Sequence, residues 1–300
     1  MIYHGLGIAS DYIGTANRLS GCIADRNNWA ATFAQAIPSY LKLTGRNATK
    51  ARVVEHLRAI ANTCPQGSEH YFFVTFSGHG TFRQGSSDPN EVDGRDEAIC
   101  CDDFLQGGLL WDNEIAAILA GSQGTIVTDC CHSGTMMRVV VDSPIEAVPR
   151  FIPFDAICEG LLPCEVHKLC EGANANRSEA RNIRDASGAI PGVIHLAGCL
   201  DNEYSYDTAQ GGAMTLAALA VRRGMQAGAT HRYWIESIQR RLPTKQFPQH
   251  PVMVATDADI ERPVPGKEPP VAAAEQPIAS TGETFEGRTS GGRVIRGVIE

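Results

Sequence analysis

Short apolar runs alternate along this chain with segments whose apolar residues recur at helical spacing. YFFVTF (71–76), GTIVT (124–128) and GVIHLA (192–197) predict strands buried on both faces. Between residues 49 and 64, Val53, Val54, Leu57, Ile60 and Ala61 make one apolar helix face. Asp112 predicts the cap of a second helix over 113–120. A helix rich in small residues from about Gly212 to Arg223, another from His231 to Leu242, and a last strand, PVMVAT (251–256), complete the pattern. Strands alternating with helices predict an α/β fold, a mostly parallel central sheet with helices on both faces.

The pattern weakens over 142–190, where Pro, Asn, Arg, Ser and Gly break any period, and this stretch reads as a long surface insertion. Beyond 261 the Pro, Ala, Glu and Gly content predicts a disordered tail. Three hundred residues, 43% of them hydrophobic, suffice for one substantial core. A net charge of -8 argues against nucleic-acid or anionic-membrane partners, which need clustered Lys and Arg. Neither a leader peptide nor an apolar run of spanning length stands out, so the reading is a cytoplasmic protein whose ten cysteines are reduced thiols.

Two strand ends carry the chemistry. VTFSGHG runs from apolar residues to His79, and IVTDCCHSG runs likewise to Cys131. In open parallel α/β sheets, ligands bind beyond the carboxyl ends of the strands. Cysteine proteolysis needs a thiolate, an imidazole to generate it, and backbone N–H groups for the oxyanion. His79 lies 52 residues before Cys131, near the separation of about 50 seen in caspases. Gly78 and Gly80 leave the backbone open beside His79, so the N–H groups of Gly80 and Cys131 are the candidate oxyanion donors. Cys130 and Cys131 point to opposite faces, so only one meets the cleft. His132, adjacent in sequence, is poorly placed to serve as base.

SGHG (77–80) with DCCHSG (129–134) resembles the motif pair of metacaspases and orthocaspases. LSGCIAD (19–25), DGRDE (93–97), RFIPFD (150–155), AGCLDNEYSYD (197–207) and GAMT (212–215) resemble further segments of that family in the same order, covering about residues 1–256. The resemblance implies a caspase-like three-layer fold with about six strands. It divides the chain into a large-subunit-like region (1–141), a linker (142–190), a small-subunit-like region (191–260) and the tail (261–300). It also implies Cys131 as nucleophile, and Cys22, Asp25, Ser77 and Asp129 as the pocket for the residue before the scissile bond. Two carboxylates there suit a cation that must be desolvated, so protein or peptide substrates with Arg or Lys before the cut are expected.

Many metacaspases need calcium. Asp93 and Asp112 match part of that acidic cluster, but Asn113 and Arg138 stand where further aspartates are usual, and calcium wants six to eight oxygens. The sequence therefore weighs against any required cofactor. Within the insertion, Cys158, Cys164, His167 and Cys170 have an imperfect zinc-knuckle spacing, against the simpler reading of packed loop cysteines. Arg150, Lys168, Arg177, Arg181 and Arg184 are candidate self-cleavage sites, against ordinary surface charge. The resemblance favours a monomer. Two other functions compete: a caspase-fold protease of narrow, separase-like specificity, and a non-catalytic interaction module.

Overall fold

The computed structural model describes residues 1–84, 95–131, 147–159, 161–174, 182–185, 188–268, 284–288 and 294–298. Strands β1 (Ile2–Ala9), β2 (Tyr40–Thr44) and β3 (His70–Ser77) open a parallel sheet. A three-stranded antiparallel meander follows: β4 (Gly80–Gln84), β5 (Arg95–Cys100) and β6 (Leu109–Trp111). The main sheet resumes with β7 (Gly124–Asp129). After a two-residue strand, β8 (Val148–Pro149), it adds β9 (Val193–Ala197). Two short strands, β10 (Tyr206–Thr208) and β11 (Gly211–Gly212), join β8 in a small antiparallel sheet. Finally β12 (Val252–Val254) closes the main sheet antiparallel to β9, giving the order β12-β9-β7-β3-β1-β2.

Alternation along the strands sends side chains to two separate cores. Phe72, Val74 and Phe76 of β3 and Ile126 of β7 face one side. There α2 (Lys50–Thr63) buries Val53, Leu57 and Ala61, and α3 (Asp112–Leu119) adds Leu119. Phe73 and Val127, one residue on, face the other side. There they meet Trp29 and Phe33 of α1 (Cys22–Phe33), Met214 and Ala218 of α6 (Ala213–Gly224), and Trp234 and Ile238 of α7 (His231–Gln239). The result is the α/β three-layer arrangement expected from the pattern, with six mostly parallel strands.

Two boundaries differ from expectation. Trp111, not Asp112, is the residue flanking α3, and Glu114 accepts the Trp111 N–H at 3.1 Å, so Asp112 is helical and free to act elsewhere. The described parts of the insertion are not a solvated loop. Helix α4 (Phe154–Cys158) and helix α5 (Pro163–Asn174) lie within it, and Ile152, Ile157 and Leu169 are buried in a third apolar cluster with Tyr12, Cys22 and Trp111. Each segment gives only one or two anchors, too few to make a period. Order also runs past 261, since Val264 is fully buried. Residues 269–300 form a separate unit, whose described part is an antiparallel hairpin, β13 (Thr284–Arg288) with β14 (Val294–Val298). Among the described residues no helix is long and apolar enough to cross a membrane.

Candidate active site

Strands β3 and β7 are parallel neighbours with Ser77 opposite Asp129. His79 and Cys131 each follow two residues beyond that pair, so the topology delivers both to one end of the sheet. His79 is buried, and its backbone N–H donates to the Tyr12 hydroxyl at 2.8 Å, while the Tyr12 ring packs on the imidazole at 4.8 Å between centroids. Its Nε2 lies 2.8 Å from the Asn17 carbonyl. A carbonyl can only accept, so Nε2 carries the proton and Nδ1 holds the lone pair. Among the described residues no atom is hydrogen-bonded to that buried Nδ1. Burial, opposed in part by the Asn17 bond, lowers the His79 pKa to about 4, which keeps the ring neutral and able to accept a proton.

Cys131 is fully buried, and its sulfur rests on the Ser205 backbone, accepting the Ser205 N–H at 2.7 Å. Cys130 turns the other way, into the α2/α3 core. The N–H groups of Gly80 and Cys131 converge on a single acceptor, the Arg150 carbonyl, at 3.0 and 3.1 Å.

Arg150 fills the cleft. Its backbone N–H donates to the Ser205 carbonyl at 2.9 Å, and the two residues before it extend the same strand, with Pro149 opposite Tyr206 and Val148 opposite Asp207. Its guanidinium is fully buried among three carboxylates. Nη2 donates to Asp25 at 2.6 Å and to Asp207 at 2.8 Å; Nε also reaches Asp207, at 3.3 Å; Nη1 meets both Asp129 Oδ2 and the Asp129 carbonyl at 3.0 Å. Each carboxylate is itself held. Asp207 accepts the N–H groups of Ser20 and Gly21, Asp25 that of Gly212, and Asp129 that of Thr215 and the hydroxyls of Thr215 and Ser205. Gly212 must lack a side chain, because a Cβ there would lie 2.2 Å from Asp129 Oδ2 and 2.5 Å from Arg150 Nη1.

Desolvation raises Asp25 to a pKa of about 7, with Arg150 pulling it down and Asp129 pushing it up. A pocket emptied of its guanidinium loses the downward pull and holds the proton to still higher pH. Binding an arginine therefore releases a proton. On the reading proposed below, in which this pocket takes a substrate's arginine and the ionised carboxylate is the form that binds, kcat/KM for arginine peptides is expected to rise with pH above about 7, and Asp25→Asn should abolish that limb. A pH profile of the two proteins checks this, and identical limbs would contradict it.

The other residues singled out by sequence are placed as follows. Cys22 is buried with its thiol 4.0 Å from Asp207 Oδ1. Ser77 is buried, and its carbonyl accepts the Ser10 N–H. Lys168 is exposed on α5. Arg184 pairs with Asp112 at 2.6 Å, so that carboxylate carries a guanidinium. Asp93, Arg138, Arg177, Arg181 and His132 lie outside the described residues. Cys164 and His167 are exposed while Cys170 is buried, and among the described residues no group of three His, Cys, Asp or Glu is placed to hold a metal.

Sequence reasoning missed Asp207, Asn17 and Ser205. Asp207 sits in a quoted motif, but its role depends on the pairing of β10 with β8. Asn17 acts through its carbonyl, and Ser205 meets Cys131 and Arg150 through its backbone, groups that every residue possesses, while its hydroxyl donates to Asp129.

Comparison with known proteins bears on the family and the fold. Residues 7–259 match the family model of the caspase domain. Metacaspase-2 of Trypanosoma brucei brucei is 26% identical over 284 residues, covering 85% of this chain and 74% of that protein. Metacaspase-1 of Arabidopsis thaliana is 28% identical over 258 residues, covering 77% and 62%. Among solved structures, protein GSU0716 from Geobacter sulfurreducens superposes with a TM-score of 0.62 at 24% identity, over 87% of this chain and 97% of that one, a likeness of fold.

Proposed function

We infer the activity from one premise: the chain belongs to the caspase-domain family of cysteine peptidases. The finer reading is an endopeptidase that cuts after arginine, and less readily after lysine, using Cys131 and His79, with the bond between Arg150 and Phe151 as its built-in first substrate. The observation that carries it is Arg150 itself. Its carbonyl oxygen lies where an oxyanion needs donors, its N–H and preceding residues pair as a substrate strand, and its guanidinium occupies the acidic pocket.

In the proposed reaction the Cys131 sulfur leaves its contact with Ser205, gives its proton to His79 Nδ1 and attacks the carbonyl carbon. The Gly80 and Cys131 N–H groups hold the oxygen as it gains charge. Collapse breaks the C–N bond, His79 returns the proton to the departing amine, and a thioester remains until water, deprotonated by the same Nδ1, releases the carboxylate. No step needs a metal.

Arginine suits the pocket better than lysine because its carboxylates approach from three sides of a planar group. An ammonium, one point with three donors, leaves some of these acceptors unpaired. Peptides ending in Arg, Lys or Asp before a fluorogenic group test the reading, each with chelator and with added calcium. Hydrolysis should follow Arg > Lys, with none after Asp and no effect of chelator. Cleavage after Asp would sink the pocket assignment.

A further inference from the structure

The cleft continues past the scissile bond. Phe151, the residue after Arg150, bridges to Gly80 in parallel register, and the next N–H, that of Ile152, donates to the Gly80 carbonyl at 3.0 Å. The first residue of β4 thus reads main chain on both sides of the bond: its N–H takes the Arg150 carbonyl and its carbonyl takes the Ile152 N–H. The Phe151 side chain meets two aromatic rings. Phe82, two residues further along β4, stacks on it with centroids 5.8 Å apart and planes at 24°, and Tyr204 tilts against it at 6.1 Å. Arg95, across β4–β5, places its guanidinium 4.6 Å from the Phe82 centroid and holds that ring in turn. Tyr204 immediately precedes Ser205, which binds both the Cys131 sulfur and the Arg150 N–H, so this ring is set by the same loop as the reacting groups.

We propose that Phe82 and Tyr204 form a subsite for an aromatic side chain directly after the scissile bond, so that the protein's substrates are arginyl–aromatic bonds. This rests on the cysteine-endopeptidase reading and narrows it. Offset and tilted aromatic pairs give preference beyond simple burial, and the bulk on both sides excludes nothing smaller; it rewards a ring. An aspartate in the same place would gain no such contact. Arg150–Phe151 meets both demands, charge before the bond and a ring after it, which explains why this basic residue of the insertion, rather than Lys168 or Arg184, occupies the cleft.

The test uses the purified wild-type chain once its Arg150–Phe151 bond has been cut, so that neither side chain is held across the bond in the cleft. Internally quenched peptides with Val-Pro-Arg before the bond and Phe, Leu, Ala or Asp after it are compared with an acyl-arginine ethyl ester, which has nothing aromatic on the leaving side. The expected order is Phe over Leu over Ala and Asp, with Phe about tenfold above Ala in kcat/KM. Phe82→Ala with Tyr204→Ala should level the series, the ratio of the Phe to the Ala peptide falling from about tenfold toward one whatever the change in the rate common to all four. Equal rates for all four peptides, or cleavage of the ester but of none of the peptides, would overturn the aromatic subsite and leave the peptidase reading standing. Failure to hydrolyse even the ester would overturn the underlying reading instead.

Discussion

Cys131→Ala is expected to lower hydrolysis of arginine peptides by about 10⁴-fold or more, and to stop self-cleavage, while the fold persists. Removing the nucleophile of a dyad takes away the whole covalent route, and what survives is the modest help of binding and oxyanion donors. The cavity cost should be small, because alanine removes only one sulfur from a site that borders the cleft. The adjacent thiol supplies the control. Cys130 packs in the α2/α3 core with Cys131 facing the opposite way, so Cys130→Ala should cost stability through lost packing and leave the peptidase working. Rates and thermal unfolding of the two variants separate the roles; comparable activity losses in both would contradict this assignment.

Arg150→Ala, made in the Cys131→Ala background so that cleavage does not intervene, is expected to destabilise the chain by about 3–5 kcal/mol near neutral pH. A buried charge pair adds little net stability when complete, but removing one partner strands the other. Here three carboxylates, Asp25, Asp129 and Asp207, would share a dry pocket with no cation. The pH dependence has a definite sign. Asp25 already titrates at about 7 in the folded protein, above the ordinary carboxylate value of about 4. Between those values the folded state holds a proton that the unfolded state has lost, so stability falls as pH rises through that window. Without Arg150 the upper edge of the window moves higher. The deficit of the double variant should therefore grow from pH 5 to pH 8. Denaturant unfolding at both pH values checks it, and a loss that is equal at the two would count against a charged pocket.

What could be read from the residues alone follows from how local each feature is. Strands β3, β7 and β9 announce themselves because both faces are covered, which leaves near-continuous apolar runs such as YFFV and IV with few polar residues among them. Strand β2, YLKLT, has one side chain buried and reads as nothing in particular. The meander β4–β6 consists of strands of five, six and three residues, two of them mixed in polarity, too short to show a period. The insertion looked solvated because its anchors, Ile152, Ile157 and Leu169, are spread too thinly to form a pattern, although each is buried. The site divides in the same way. Chemically distinctive residues at strand ends, His79 and Cys131, are visible in the chain. The occupancy of the pocket by Arg150 is not, because five basic residues of one insertion look alike until the pairing of β8 with β10 fixes which one points inward. Asp112 shows the opposite failure: a residue with two plausible sequence roles, helix cap or metal ligand, is tied to Arg184.

The intact mass of the purified full chain, compared with that of its Cys131→Ala variant, tests the central claim most directly. The account predicts that the wild type separates into two fragments whose masses place the cut between Arg150 and Phe151, with or without chelator, and that the variant remains whole. A wild type that stays uncut under both conditions, or one cut elsewhere while Arg150–Phe151 remains joined, would contradict it.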